Sequence, residues 1–218
     1  MSTPAVSETQ VSRAATLMGR NHTVRIISEL DDNGPIPQGA MSAVFSPFIL
    51  YPVHNVLRAL CTRGLVTFDK QNEHRLTLTE AGRALGDVFD SLARWARAHQ
   101  YPAEHADFAT RVRSALALLR DPRTVSLVAA PGSDLGPRSA DELDLAVRAG
   151  LVAPTADGRG WSLTDAGRGL REPLALVAQW AHANAELVRR SGPGRPAMRT
   201  LPVPAVTRAT TAGPVKRS

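Results

Sequence analysis

The sequence predicts a mainly α-helical chain with small β-hairpins, an α+β fold in which one unit is used twice. Three observations carry this. Gly64-Leu65-Val66 leads through a short polar stretch to Leu78-Thr79-Glu80-Ala81-Gly82-Arg83-Ala84-Leu85. Gly150-Leu151-Val152 leads in the same way to Leu163-Thr164-Asp165-Ala166-Gly167-Arg168-Gly169-Leu170, and Trp95-Ala96 recurs as Trp180-Ala181. The offset is 86 at the glycines and 85 from the threonines to the tryptophans, so both copies keep one order and nearly one spacing.

The elements follow in chain order. Leu17-Met18-Gly19-Arg20-Asn21-His22-Thr23-Val24 resembles Leu118-Leu119-Arg120-Asp121-Pro122-Arg123-Thr124-Val125, each stretch closing one helical turn and opening another. A helix is expected from about Tyr51 to Arg63, with Val53, Val56, Leu57, Leu60 and Cys61 forming a core-facing stripe and Pro52 in its first turn. Gly64 and Gly150 end helices, since glycine takes the left-handed conformation without steric penalty. Val66-Thr67-Phe68 and Leu76-Thr77-Leu78 read as strands around the polar turn Lys70 to Glu73. In the second copy Asp157-Gly158 is a hairpin signal, with Trp161-Ser162-Leu163 returning. Thr79 and Thr164 are N-caps for the helices that follow, on which Leu85, Phe89, Leu92 and Ala96 share a face.

The copies differ in two places. Pro173 stands where the first copy has Val88, which predicts a kink or break in the second terminal helix. Thr23 to Gly64 spans 41 positions, whereas Thr124 to Gly150 spans 26. The fifteen missing residues match the second helix of a helix-turn-helix with its turn, so the second copy is expected to be reduced.

These features resemble the HxlR-like and broader MarR-like winged-helix regulators of bacteria. The likeness rests on Leu57-Arg58-Ala59-Leu60 before Gly64-Leu65-Val66, on Leu78-Thr79-Glu80-Ala81-Gly82, and on the helix ending in Trp95-Ala96. It covers residues 13–100 and part of 110–185. It implies two tandem winged helix-turn-helix domains, a DNA-binding transcription factor, and terminal helices that mediate dimerisation. One unit per chain is usual in those regulators, so the tandem arrangement is a departure. The expected division is a flexible N-terminus at 1–9, a DNA-reading domain at 10–101, an assembly or sensing domain at 102–190, and a disordered basic tail at 191–218.

On this reading helix 51–63 enters the major groove of double-stranded DNA. His54, Asn55 and Arg58 lie on its outer face near the N-terminal end, where Asn suits adenine and Arg suits guanine. Ser46 and the start of the helix would hold a phosphate. Lys70, His74 and Arg75 are the hairpin's candidate backbone contacts, with Asp69 and Glu73 acting against them. Phe45-Ser46-Pro47-Phe48-Ile49-Leu50-Tyr51 is apolar for a turn facing phosphates, which suits core or a partner surface.

The net charge is +6, but residues 1–100 carry ten Lys+Arg against nine Asp+Glu, and residues 101–190 eleven against eleven. Residues 191–218 carry five against none, so the basicity belongs to the proline- and glycine-rich tail. Within it Gly194-Arg195-Pro196 resembles the core of an AT-hook, which makes Arg195 a minor-groove candidate. Trp95, Trp161 and Trp180 read first as anchors that pack hairpin against terminal helix, and second as candidates for lining an effector pocket. The one cysteine, Cys61, sits on the core stripe and reads as a small buried hydrophobe. His99 and His105 lack a metal-ligand spacing.

No nucleophile elbow, phosphate loop or paired carboxylates appear, so no enzyme, cofactor or metal is expected. With no apolar run of about 18 residues and a polar start, a cytoplasmic protein without a membrane partner is expected. The expected partners are duplex DNA, a small-molecule effector, and either a second copy in a homodimer or the internal repeat in a pseudo-dimer. The alternative function is a winged-helix interaction or ligand-binding module that has lost specific DNA binding.

Overall fold

A computed structural model describes residues 7–20, 22–45, 53–69 and 74–190. The first copy begins with α1 (Glu8–Met18), whose cap Ser7 accepts from the Gln10 amide, followed by α2 (Thr23–Asn33). A 3-10 turn (Gln38–Ala40), α3 (Met41–Phe45) and α4 (Val53–Thr62) follow. Then come the hairpin β1 (Val66–Asp69) and β2 (Arg75–Leu78), and the pair α5 (Glu80–Arg83) and α6 (Leu85–Ala98). The second copy is α7 (Phe108–Leu119), α8 (Pro122–Ala129), β3 (Asp134–Gly136), α9 (Ala140–Arg148), β4 (Val152–Pro154), β5 (Trp161–Leu163), α10 (Asp165–Gly169) and α11 (Arg171–Ala183), with α12 (Ala185–Arg190) last. No helix among the described residues is long and apolar enough to cross a membrane.

The predicted hairpins are present, and each carries a third extended piece that the sequence pattern did not reveal. Ile36 bridges Leu76 on β2, and β3 pairs with β5, so both sheets run in the order third piece, returning strand, outgoing strand. Val66 faces Leu78 and Val152 faces Leu163 at the same place in each ladder.

The shared motif has a mechanical reading. Thr79 Oγ1 donates to Gly64 O and Thr164 Oγ1 to Gly150 O, both at 2.6 Å, while each threonine also caps the next helix by accepting from Gly82 N or Gly167 N. A Cβ on Gly82 would overlap the carbonyl oxygen of Leu65, and one on Gly167 that of Leu151. Only glycine therefore lets the helix start press against the loop that follows the preceding helix. Gly64 and Gly150, at φ 68° and 67°, supply the left-handed residue that turns the chain into the strand.

Those contacts also show which helix the second copy lacks. Leu65 N donates to Leu60 O at 3.1 Å and Leu151 N to Ala146 O at 2.8 Å, so α9 is the counterpart of α4. β3 ends at Gly136 and Ser139 already caps α9. The lost segment is thus the counterpart of α3, its 3-10 turn and the stretch after it. The fifteen-residue shortfall is real, but it removes the helix before the one that the residue count had suggested.

Pro173 does not break α11. It is the third residue of the helix after the N-cap Leu170, where a backbone N–H has no intrahelical acceptor to lose. Its ring is buried there and α11 runs uninterrupted to Ala183.

The sequence boundary near residue 101 separates two copies but not two cores. Helix α1 packs on α7, α8, α11 and α12, while α7 packs on α1, α2 and α6, and α6 lies against α11. Buried side chains from Val11 to Val188 form one continuous cluster that includes Leu17, Ile26, Leu60, Phe89, Leu116, Leu151 and Val177. Truncating a buried leucine of this kind to alanine costs roughly 2–5 kcal/mol.

The copies also exchange hydrogen bonds reciprocally. Trp95 Nε1 on α6 donates to Ala166 O in α10, and Trp180 Nε1 on α11 donates to Ala81 O in α5, both at 2.9 Å. Each tryptophan is thus seated in the threonine–glycine elbow of the other copy, the relation expected across a two-fold axis. Arg120 Nη2 donates to Gly19 O at 2.6 Å, joining two positions that correspond in the repeat.

Candidate nucleic-acid interface

Helix α4 is the element on which the sequence reading concentrated. Its core face carries Leu57 and Leu60, both buried, with Val53 and Cys61 half-buried beside them. Burial pushes the Cys61 thiol pKa up, which keeps it protonated and suits a packing role. The opposite face exposes His54, Asn55, Arg58 and Thr62, with Thr62 Oγ1 turned back to donate to Arg58 O at 2.9 Å. Among the described residues no carboxylate pairs with Arg58. The structure therefore brings His54, Asn55 and Arg58 together on one exposed strip, as the helical spacing requires.

The same strip on α9 has the opposite character. With an offset of 86, Asn55 corresponds to Asp141, Arg58 to Asp144 and Thr62 to Arg148. Asp141 and Asp144 are exposed, and Asp144 is paired with Arg148 at 2.7 Å. One scaffold position thus presents hydrogen-bond donors in the first copy and carboxylates in the second.

The hairpin residues are less uniform. His74 is exposed and holds a left-handed conformation, φ 51°, at the start of β2. Arg75 is half-buried and stands opposite Asp69 in the ladder, so its charge is set against a carboxylate across the strands. Ser46, Lys70 and Arg195 lie outside the described residues.

Trp95 and Trp180 are 5% and 3% exposed with both indole N–H groups engaged, and Trp161 is half-buried on β5. Tyr101 and His99 pack against Trp95 at ring-centroid distances of 5.6 and 5.7 Å, which makes this an aromatic anchor.

A cleft of about 620 Å³ opens elsewhere, on the inner flank of α4. It is lined by Thr16, Gly19 and Arg20 at the end of α1, by Asn55, Val56, Ala59 and Arg63 of α4 and its C-terminal end, and by Arg120 after α7. Val56 packs against the core, as its place in the stripe requires, and also lines this cleft, as does Asn55. Burial and then the Arg20 guanidinium lower the pKa of Arg63; burial and then Arg113 and Arg20 lower that of Arg120. These arginines escaped the sequence reading because they are far apart in the chain. The available signal was the repeat itself, which sets the bulky Arg120 at the position of Gly19.

No protein-family profile, no curated protein and no solved structure matches the chain.

Proposed function

We propose that the chain is a sequence-specific DNA-binding transcriptional regulator of a bacterium, built from two tandem winged-helix units of which the second is reduced, and that α4 reads the major groove. The observation that carries this reading is the strip of His54, Asn55 and Arg58. It is exposed, free of carboxylates, and mounted on a helix fixed from behind by Leu57 and Leu60. Its chemistry suits base edges, an arginine for guanine and an asparagine for adenine. The order of α2, Ile36, α3, α4 and the β1–β2 hairpin supports the winged-helix reading, on which His74 of the wing would lie beside the phosphates.

The second copy serves as an internal partner. The packing of α6 on α11 and the exchanged tryptophan hydrogen bonds support an intrachain pseudo-dimer. Among the described residues Val147 is the only exposed large hydrophobic side chain, so these residues offer a second copy little apolar surface. Asp141 and Asp144 would repel phosphates, so one head engages DNA and the recognised site is a single, non-palindromic element.

The experiment is fluorescence anisotropy with labelled duplexes across a salt series, on the full chain and on Arg58→Ala and Asn55→Ala. Each substitution is expected to weaken binding to the preferred site by about 5- to 150-fold, the equivalent of roughly 1–3 kcal/mol. Binding that is indifferent to sequence and to both substitutions would refute the reading. That outcome would favour a winged-helix module that holds a ligand or protein instead, for which the cleft flanking α4 is the supporting observation.

A further inference from the structure

The cleft beside α4 collects guanidinium groups from three separate elements. Arg20 follows α1, Arg63 follows α4 and Arg120 follows α7, the last held at the rim by its hydrogen bond to Gly19 O. Among the described residues no aspartate or glutamate lines the space, and no carboxylate pairs with Arg63 or Arg120. Like charges placed this way repel and weaken a fold unless something opposes them. The depressed pKa values of Arg63 and Arg120 express the same crowding and burial.

The lining narrows the chemistry of the occupant. Among the described residues, Val56 and Ala59 are the only apolar side chains besides the methyl of Thr16, and no aromatic ring lines the space. An apolar or aromatic molecule would find little to pack against. Guanidinium forks from different directions instead fit an oxyanion that presents several oxygens. Asn55 and Thr16 add neutral hydrogen-bonding groups, and about 620 Å³ is more than a lone phosphate fills. Duplex DNA is the weaker fit. Arg63 lies about 140° round the helix from Arg58, so of the exposed strip only Asn55 borders the cleft, and Arg58 points away from it.

We propose that this cleft is a binding site for a small, multiply charged oxyanion of the phosphate-ester or pyrophosphate class, clamped by Arg20, Arg63 and Arg120 across the junction of the two copies. The site shares Asn55 with the proposed reading face of α4, and its three arginines lie outside that face.

The test is isothermal titration of the full chain with inorganic pyrophosphate in a chloride buffer, for the wild type, Arg63→Gln, Arg120→Gln and the double variant. Saturable binding at one site is expected, with Kd raised about tenfold or more by each single change and binding lost in the double variant. Arg63→Gln relieves a crowded charge, so its ligand-free melting midpoint should equal or exceed that of the wild type, which separates loss of binding from loss of fold. Absence of saturable binding overturns the proposal. So does binding that persists unchanged in the double variant, which would place the anion on the basic tail or elsewhere. Should pyrophosphate fail while duplex DNA of any sequence binds in an Arg63-dependent way, the cleft is a backbone seat and the proposal is also overturned.

Discussion

Replacing Trp95 with phenylalanine should destabilise the whole chain, not one half of it. The indole N–H of Trp95 reaches across to Ala166 O at 2.9 Å, and the ring is 5% exposed. Phenylalanine keeps most of the apolar contact but removes one of two donors to that carbonyl, which still accepts from Leu170 N at 3.1 Å. The net loss of one hydrogen bond costs about 0.5–1.5 kcal/mol, at a carbonyl that is half-buried. The smaller ring adds a packing loss, for a total of about 2 kcal/mol. With a urea m-value of about 1–3 kcal/mol/M, the midpoint should fall by roughly 1 M. Trp180→Phe should give a similar shift, because Trp180 makes the equivalent bond to Ala81 O at 2.9 Å. Urea unfolding followed by far-ultraviolet circular dichroism and by fluorescence is the assay, and in each variant one coincident transition should move. Two separated transitions, only one of them shifted by a given substitution, would refute the continuous core that α1 and α7 build.

Three further outcomes follow from the same geometry. Gly82→Ala and Gly167→Ala each drive a Cβ into a backbone carbonyl, of Leu65 and Leu151 respectively, so both should lose at least the roughly 1–3 kcal/mol typical of overpacking, read as a drop in melting temperature. Burial, then Arg113 and Arg25, hold the His22 pKa below its usual value near 6.5, so the unfolded chain binds the extra proton. Its contribution to stability is complete above that value and declines as pH falls through it; thermal melts between pH 8 and 5 should show the decline in the wild type and less of it in His22→Asn, which tolerates the left-handed φ of 64°. Asp141→Asn combined with Asp144→Arg should raise affinity for DNA of any sequence and steepen its salt dependence, as added phosphate contacts do, measured by anisotropy.

Legibility in the sequence tracked the locality of the cause. The elbow Leu78 to Leu85 was readable because a threonine cap and a glycine contact act within a few residues. The hairpins were readable from β-branched runs and a turn dipeptide. Ile36 and Asp134–Gly136 were not, since a single bridge or a three-residue strand leaves no periodicity to detect. The identity of the lost helix was ambiguous until the Leu151 to Ala146 hydrogen bond fixed α9 as the counterpart of α4. Pro173 misled because proline is disruptive only where a helix needs its N–H, and the helix starts only two residues before it, at Arg171. On α4 the exposed face was legible from spacing, whereas the cleft behind it was not. Amphipathic patterning says that Val56 and Ala59 are sheltered; it does not say by what. The interlocking of α1 with the second copy is of the same kind, a choice of partner that no single helix encodes.

The claim that α4 reads DNA is tested most directly by selecting from randomised duplex DNA with the full chain and with Arg58→Ala in parallel. The account predicts one short, asymmetric motif enriched by the wild type, with the preference weakened or changed at one position in the Arg58→Ala pool. No enrichment with the wild type, or an identical motif from both proteins, would contradict it.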